Sequence, residues 1–130
     1  MARWVYFNPN PLGKETGDCV IRAVCAATGR NWQDVYTGVA LTGLVYADMP
    51  NENSVWQKYL ESQGFVKRYV PDLCPQCYTV GEFADDHPKG RFVVGTGSHA
   101  VGIVDGICYD TWRSLGERVK FYYSKEEQYA

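Results

Sequence analysis

A cysteine, a histidine and an aspartate stand in surroundings that suit nucleophilic chemistry. Cys19 follows Gly17 and Asp18 and begins an apolar segment that is typical of a helix. His99 begins a β-like run much further along the chain, and Asp110 ends the next one. A thiol at a helix N-terminus, a distant histidine and a third, acidic residue are the parts of a cysteine nucleophile system.

Each of the first two side chains has a predicted role and an ordinary alternative. The unpaired N–H groups and the positive dipole end of a helix stabilise a thiolate, so Cys19 is the predicted nucleophile rather than a core residue. His99 is the predicted general base rather than a hydrogen-bonded turn residue, because it follows a glycine-rich lead and has Cys19 as a partner. His87 is interpreted as structural, since it follows an expected helix whose C-terminus favours a cation.

The third role depends on a hairpin. Asp105-Gly106 separates two β-like runs and is a strong hairpin signal. With this turn in the middle, His99 and Asp110 lie near the same open end of the hairpin, on adjacent strands. Asp110 is therefore predicted to accept a hydrogen bond from the imidazole and to fix its tautomer. The alternative is an ordinary aspartate at a strand end, and Asp105 is excluded because it lies in the turn.

Acyl transfer also needs hydrogen-bond donors for the oxyanion that forms. The backbone N–H of Cys19 supplies one donor. A side-chain amide upstream would supply the other, and Asn8 and Asn10 are the candidates, of which Asn10 is preferred. Both also suit turns in a proline-rich loop.

Cys74-Pro75-Gln76-Cys77 is a second cluster of chemically active residues. Two cysteines at this spacing suit half of a tetrathiolate zinc site, but Cys25 and Cys108 are isolated in an expected helix and strand. A redox pair would need a βαβ setting that the chain lacks. A tight turn with two packed thiols is therefore preferred. We expect no cofactor, and Cys74 and Cys77 are only weak metal candidates.

Helices are expected in the first half of the chain. Apolar periodicity and caps predict three of them, and Thr79 with Glu82 has the capping-box spacing that begins a fourth, short one. The first three cover Asp18–Thr28, Asn31 to about Val39 and Ser54–Ser62, with a loop at Thr42–Asn53.

Strands dominate the second half, where β-branched and aromatic residues are frequent. They are predicted at an N-terminal edge, over Arg3–Asn8, and then over Phe65–Val70, Arg91–Gly95, His99–Val104, Ile107–Thr111 and Val119–Tyr123. Helices followed by antiparallel strands indicate an α+β fold, with N-terminal helices packed on a C-terminal antiparallel sheet.

Composition limits the classes of function. The 130 residues fit a single domain over residues 1–130, and a hydrophobic fraction of 45% predicts a folded core. A net charge of −2 gives no electrostatic footprint for nucleic acid. No apolar run reaches the ~18 residues of a membrane span, and the N-terminus is unlike a signal peptide. We therefore expect a cytoplasmic protein without nucleic-acid or membrane partners, whose five cysteines are thiols or ligands and not a disulfide framework.

The order of cysteine, histidine and aspartate resembles the papain-like cysteine peptidase superfamily, and within it the small bacterial and phage-borne C39-like peptidases. The resemblance covers most of the chain topologically and implies a papain-like fold acting on a peptide or protein substrate. It also implies Cys19 as nucleophile, His99 as base and Asp110 as orienting residue, with the indole of Trp112 shielding the base. The motifs that carry it are Gly17-Asp18-Cys19, Ser98-His99-Ala100-Val101 and Tyr109-Asp110-Thr111-Trp112.

Two departures from that family lead to competing hypotheses. The position of its oxyanion glutamine is Gly13 here, no glutamine occurs upstream of Cys19, and the Cys-Gly-Ser-Cys-Trp signature is missing. The first hypothesis is a thiol peptidase or isopeptidase, and the same residues suit transglutaminase-type or amidase chemistry. The second is a catalytically silent papain-like fold that binds a partner, such as a phage protein acting on a host factor. A zinc-dependent interaction module centred on Cys74 and Cys77 ranks last.

Overall fold

The computed structural model describes residues 3–70 and 78–125, which form four helices and six strands. The helices are α1 (Cys19–Thr28), α2 (Trp32–Tyr46), α3 (Asn53–Ser62) and α4 (Val80–Asp86). The strands are β1 (Arg3–Tyr6), β2 (Phe65–Tyr69), β3 (Arg91–Gly95), β4 (Ala100–Val104), β5 (Ile107–Asp110) and β6 (Phe121–Lys125). The predicted α+β class is confirmed. None of the helices within the described ranges is long and apolar enough to cross a membrane.

The strands form one mixed sheet in the order β1-β5-β4-β3-β6-β2. Strands β5, β4, β3, β6 and β2 pair antiparallel, but β1 lies parallel to β5 at the edge. The sheet is therefore mixed and not antiparallel throughout as predicted, because the N-terminal strand β1 pairs parallel to β5. The N-terminal edge strand itself was correctly predicted.

The β4–β5 hairpin has the expected turn. Asp105 has a φ of 49° and Gly106 a φ of 77°, and two central residues with positive φ are typical of the hairpin turns that match strand twist. Val104 pairs with Ile107 immediately beyond the turn. At the open end, this register brings the residues before β4 beside the end of β5.

Alternation along the strands divides the core between the two faces of the sheet. Val93 and Ala100 pack with α1, α2 and α3, whereas their neighbours Val94 and Val101 pack with α4. Each face of the sheet is thus covered by helix: α1, α2 and α3 pack on one face, and α4 packs on the other.

Helix α1 lies directly on β4 because both surfaces carry small side chains. A Cβ atom at Gly102 would lie 2.5 Å from the Cβ of Ala26 and 2.8 Å from the carbonyl oxygen of Ala23. The sequence prediction for α1 is accurate, and the helix ends at Gly29, whose φ of 75° is the left-handed cap geometry. This close contact sets the distance between the residue that begins α1 and the residue that precedes β4.

Helix α2 is longer than predicted, and the loop expected over Thr42–Asn53 begins only after Tyr46. The prediction stopped early because of Gly38 and Gly43. A Cβ at Gly38 would clash with the ring of Tyr59, and one at Gly43 would clash with the carbonyl of Asp48. Both glycines therefore permit close packing of α2 and do not break it.

Strand β6 begins two residues later than predicted. Val119 donates its N–H to the carbonyl of Tyr78, and Arg118 bridges to Thr79, so this segment pairs with the chain before α4. The predicted capping box at that point is confirmed, since Thr79 and Glu82 exchange both hydrogen bonds.

Replacing Gly102 with alanine tests the α1–β4 contact. We expect Gly102→Ala to lower the free energy of unfolding by about 1–3 kcal/mol, because the added methyl group meets Ala26 and the backbone of Ala23. Chemical denaturation measures the difference. Gly116→Ala is the matched control, since nothing lies within 4 Å of a Cβ built there, and a change within about 0.5 kcal/mol is expected. Equal stability of the two variants would contradict the packing described.

Candidate active site

The buried carboxylate of Asp110 accepts hydrogen bonds from several parts of the chain. The side chain is fully buried. Its Oδ2 accepts from Nε2 of His99 and from Oγ of Ser114, both at 2.7 Å, and its Oδ1 accepts from the N–H of Thr111 at 2.8 Å and from Arg22. Burial alone raises the pKa of this carboxyl, but the hydrogen bonds from His99 and Ser114 outweigh it and hold the pKa below its usual value. Asp110 is therefore an anion at neutral pH.

His99 lies between Asp110 and Cys19. The turn before β4 fixes its backbone, because its carbonyl accepts hydrogen bonds from the N–H and hydroxyl of Thr96. Since Nε2 is bonded to Asp110, Nδ1 is the nitrogen left to meet the Cys19 thiol. Burial lowers the pKa of His99, but the bonds to Asp110 and Cys19 reverse this and raise it to about 9. The ring of Trp112 lies 4.9 Å from the imidazole, as the shielding hypothesis requires.

Cys19 is the first residue of α1 and is half-buried. Burial raises the pKa of its thiol, but the hydrogen bond from His99, the backbone N–H of Ala100 and the charge of Arg22 together lower it below the ordinary value. By contrast, burial raises the pKa of both Cys25 and Cys108 to about 12. Cys19 thus differs sharply from the other cysteines within the described ranges.

The N-terminus of α1 carries no side-chain cap. Asp18 stands at the cap position, yet its carboxylate accepts from Nη1 of Arg22 and from Nε1 of Trp32, both at 2.9 Å. The first N–H groups of a helix have no partner within it. The Asp18 carboxylate is held away from them, so the backbone N–H of Cys19 is available to a developing oxyanion.

Cys19 and His99 line a cavity of about 540 Å³, whereas Asp110 lies buried behind His99. Four aromatic side chains line it, in two stacked pairs. The rings of Trp32 and Tyr36 are 5.0 Å apart, and those of Trp56 and Phe121 are 6.1 Å apart. The cavity is large enough for a segment of substrate beside the thiol.

The structure brings three of the predicted site residues together, namely Cys19, His99 and Asp110. It does not bring Asn10 to them, because the Asn10 carboxamide oxygen accepts hydrogen bonds from the N–H groups of Leu12 and Lys14 and shapes the loop. Asn10 is not among the residues that line the cavity. Asn10 therefore has the turn role that was its alternative, and the oxyanion role predicted for it has no geometric support.

Other sequence predictions fall elsewhere in the chain. Cys74 and Cys77, the weak metal candidates, lie outside the described residues. His87 has the structural setting that was expected: its Nδ1 lies 2.7 Å from the carbonyl oxygen of Phe83, and its ring stacks on that side chain at 3.9 Å.

Sequence reasoning missed two partners of Asp110. Arg22 left a signal that could have been followed, because it is the only charged residue in α1 and lies four positions after Asp18. Four residues is the spacing at which opposite charges meet on a helix. Ser114 left none, because its approach to Asp110 depends on the path of the loop after β5.

Comparisons of the chain with protein-family models, with curated proteins and with solved structures found no match.

The pKa shifts predict which thiol reacts. At about pH 6, a thiol of ordinary pKa is almost wholly protonated, and because His99 lowers the pKa of Cys19, a larger fraction of Cys19 is thiolate at that pH. Iodoacetamide should therefore alkylate Cys19 at least about tenfold faster than Cys25 or Cys108, as read for each cysteine by mass spectrometry. In His99→Gln, the rate of Cys19 alkylation at this pH should fall toward that of a simple thiol. Slow alkylation of Cys19, with a titration like that of a simple thiol, would contradict the thiolate–imidazolium pair.

Proposed function

We propose that this chain is a cysteine hydrolase that cleaves amide bonds of peptides or proteins, with a papain-like arrangement of its site. The observation that carries the proposal is the hydrogen-bonded series Cys19, His99 and Asp110, of which Cys19 and His99 line one cavity and Asp110 lies buried behind His99. It combines a thiol of lowered pKa, an imidazole of raised pKa and a buried anion. Perturbed groups that share a cleft are typical of functional sites.

The first half of the reaction forms a thioester. The Cys19 thiolate attacks the carbonyl carbon, a C–S bond forms, and the carbonyl oxygen becomes an oxyanion that accepts from the N–H of Cys19. The His99 imidazolium then gives its proton to the amide nitrogen. The C–N bond breaks, and the amine leaves with that proton.

The second half releases the acid and restores the site. Neutral His99 takes a proton from water, and the hydroxide oxygen attacks the thioester carbon. The C–S bond breaks, so that the acid departs and the thiolate–imidazolium pair forms again. Asp110 holds the imidazole in one orientation throughout and stabilises its positive charge. An amine in place of water would give an acyl transfer, which is the transglutaminase-type alternative.

A cytoplasmic location is part of the same proposal. A thiolate nucleophile works only while its sulfur is reduced, and Cys19, Cys25 and Cys108 are free thiols. This chemistry suits the reducing cytoplasm.

A catalytically silent papain-like module that binds a partner is the second candidate. The loop positions of Asn10 and Asn8 favour it. The Asn8 amide donates to the carbonyl of Lys14, and neither asparagine lines the cavity beside Cys19. The aromatic walls of the cavity would serve binding equally well. The two candidates differ in whether Cys19 turns substrate over.

Removal of the thiol separates these candidates. We expect the wild-type chain to cleave members of a peptide library and to be labelled by a peptide-based thiol electrophile. Cys19→Ala should lower cleavage on the order of 10⁴-fold or more, because the nucleophile is lost. Cleavage by the wild type should decline above about pH 9, where His99 loses the proton that the leaving amine needs.

The matched control is Cys25→Ala, which removes a buried thiol from the same helix. It should retain cleavage. Full cleavage by Cys19→Ala would contradict the hydrolase, and a wild type that is neither labelled at Cys19 nor active on the library would support the binding module.

A further inference from the structure

Arg22 is a buried cation held between two carboxylates. Its side chain is only 5% exposed. Nη1 lies 2.9 Å from Oδ1 of Asp18, while Nε and Nη2 each lie 3.1 Å from Oδ1 of Asp110. The proposed reaction does not use this side chain directly, so its position needs a separate explanation.

The two carboxylate oxygens of Asp110 have different partners, and Arg22 determines which oxygen faces His99. Oδ1 accepts from Arg22 and from the N–H of Thr111, whereas Oδ2 accepts from His99 and Ser114. A carboxylate on a freely rotating bond would exchange its oxygens. With the guanidinium on Oδ1, rotation of the carboxylate would break two hydrogen bonds, so Oδ2 stays directed at His99.

Arg22 also joins the two elements that carry the nucleophile and the orienting carboxylate. It lies one turn after Cys19 on α1, and its guanidinium reaches the last residue of β5. We propose that Arg22 is the positioning residue of the site: it fixes the rotation of Asp110 and holds the helix that carries Cys19 at the correct distance from His99. This inference rests on the proposed hydrolase function.

The contacts require arginine and not merely a positive charge. Three nitrogens of one planar group reach two carboxylates on different sides. The ammonium of a lysine is a single point on a flexible stem and cannot reproduce this fork. Lysine at position 22 should therefore keep the charge and lose part of the positioning.

Stability alone is a weak reason for such an arrangement. Removing charges from water costs several kcal/mol per ion, and apolar residues of similar volume are often as stabilising. The charged groups that meet here are Asp18 just before α1, Arg22 of α1, Asp110 of β5 and His99 before β4. Asp18 precedes Cys19 in the chain, the charge of Arg22 and the ring of His99 act on its thiol, and Asp110 acts on it through His99, which is where a positioning role needs them.

The test measures Cys19 alkylation against pH in variants of residue 22. In Arg22→Gln, we expect the rate at about pH 6 to fall roughly tenfold, which corresponds to a rise of one unit in the pKa of the thiol. Arg22→Lys should lose about threefold, between wild type and Arg22→Gln. Val24→Ala is the matched control, because it weakens the packing of the same helix at a fully buried position outside this network. Its profile should match that of the wild type.

A double variant separates position from charge and guards against misfolding. Asp18→Asn with Arg22→Gln removes one negative and one positive charge, so it leaves no unpaired Asp18 carboxylate and keeps the net charge of the group. It should show the same roughly tenfold loss, because the fork on Asp110 is absent. A wild-type profile in the double variant or in Arg22→Gln, or an equal loss in Val24→Ala, would overturn the proposal. If Cys19 of the wild type is not alkylated faster at about pH 6 than a simple thiol, the hydrolase proposal has failed instead.

Discussion

The buried negative charge of Asp110 is the constraint on which the rest of the site depends. A carboxylate removed from water is very costly unless donors surround it. Here donors come from α1, from the turn before β4, from the backbone after β5 and from the following loop. Each of them must be in place for the others to be stable, so one charge fixes the relative positions of the helix and both strands of the hairpin.

The same charge determines the protonation of the site. Asp110 stabilises the imidazolium of His99, and the imidazolium in turn stabilises the Cys19 thiolate. The pKa of His99 is raised from 6.5 to about 9 in the folded state, so its contribution to stability is fully present below pH 6.5 and is lost as the pH rises through about 9. The pKa of Asp110 is lowered, so its contribution is present above about 3.8 and is lost as the pH falls through the folded value.

The sequence allowed prediction of features that depend on short stretches of chain. The Asp105-Gly106 turn implied a hairpin, and the hairpin brought His99 beside Asp110. Features that depend on contacts between distant parts of the chain could not be predicted from the sequence. The extension of α2 past Gly43 needs its packing, and the Arg22 contact with Asp110 joins residues 88 positions apart. The place of Asn10 depends in the same way on the path of its loop, which holds its carboxamide oxygen against the N–H groups of Leu12 and Lys14 and leaves the residue outside the cavity lining.

Titration of the His99 imidazole by NMR tests the central claim most directly. In the wild type, the ring should stay protonated through neutral pH and lose its proton at about 9. In Asp110→Asn, the midpoint should fall by at least about one unit, because the anionic acceptor is gone. Asp105→Asn is the matched control, because it makes the same substitution in the hairpin turn, away from His99. It should leave the midpoint unchanged. A wild-type midpoint near 6.5, or the same midpoint in Asp110→Asn, would contradict a site organised by the buried Asp110 carboxylate.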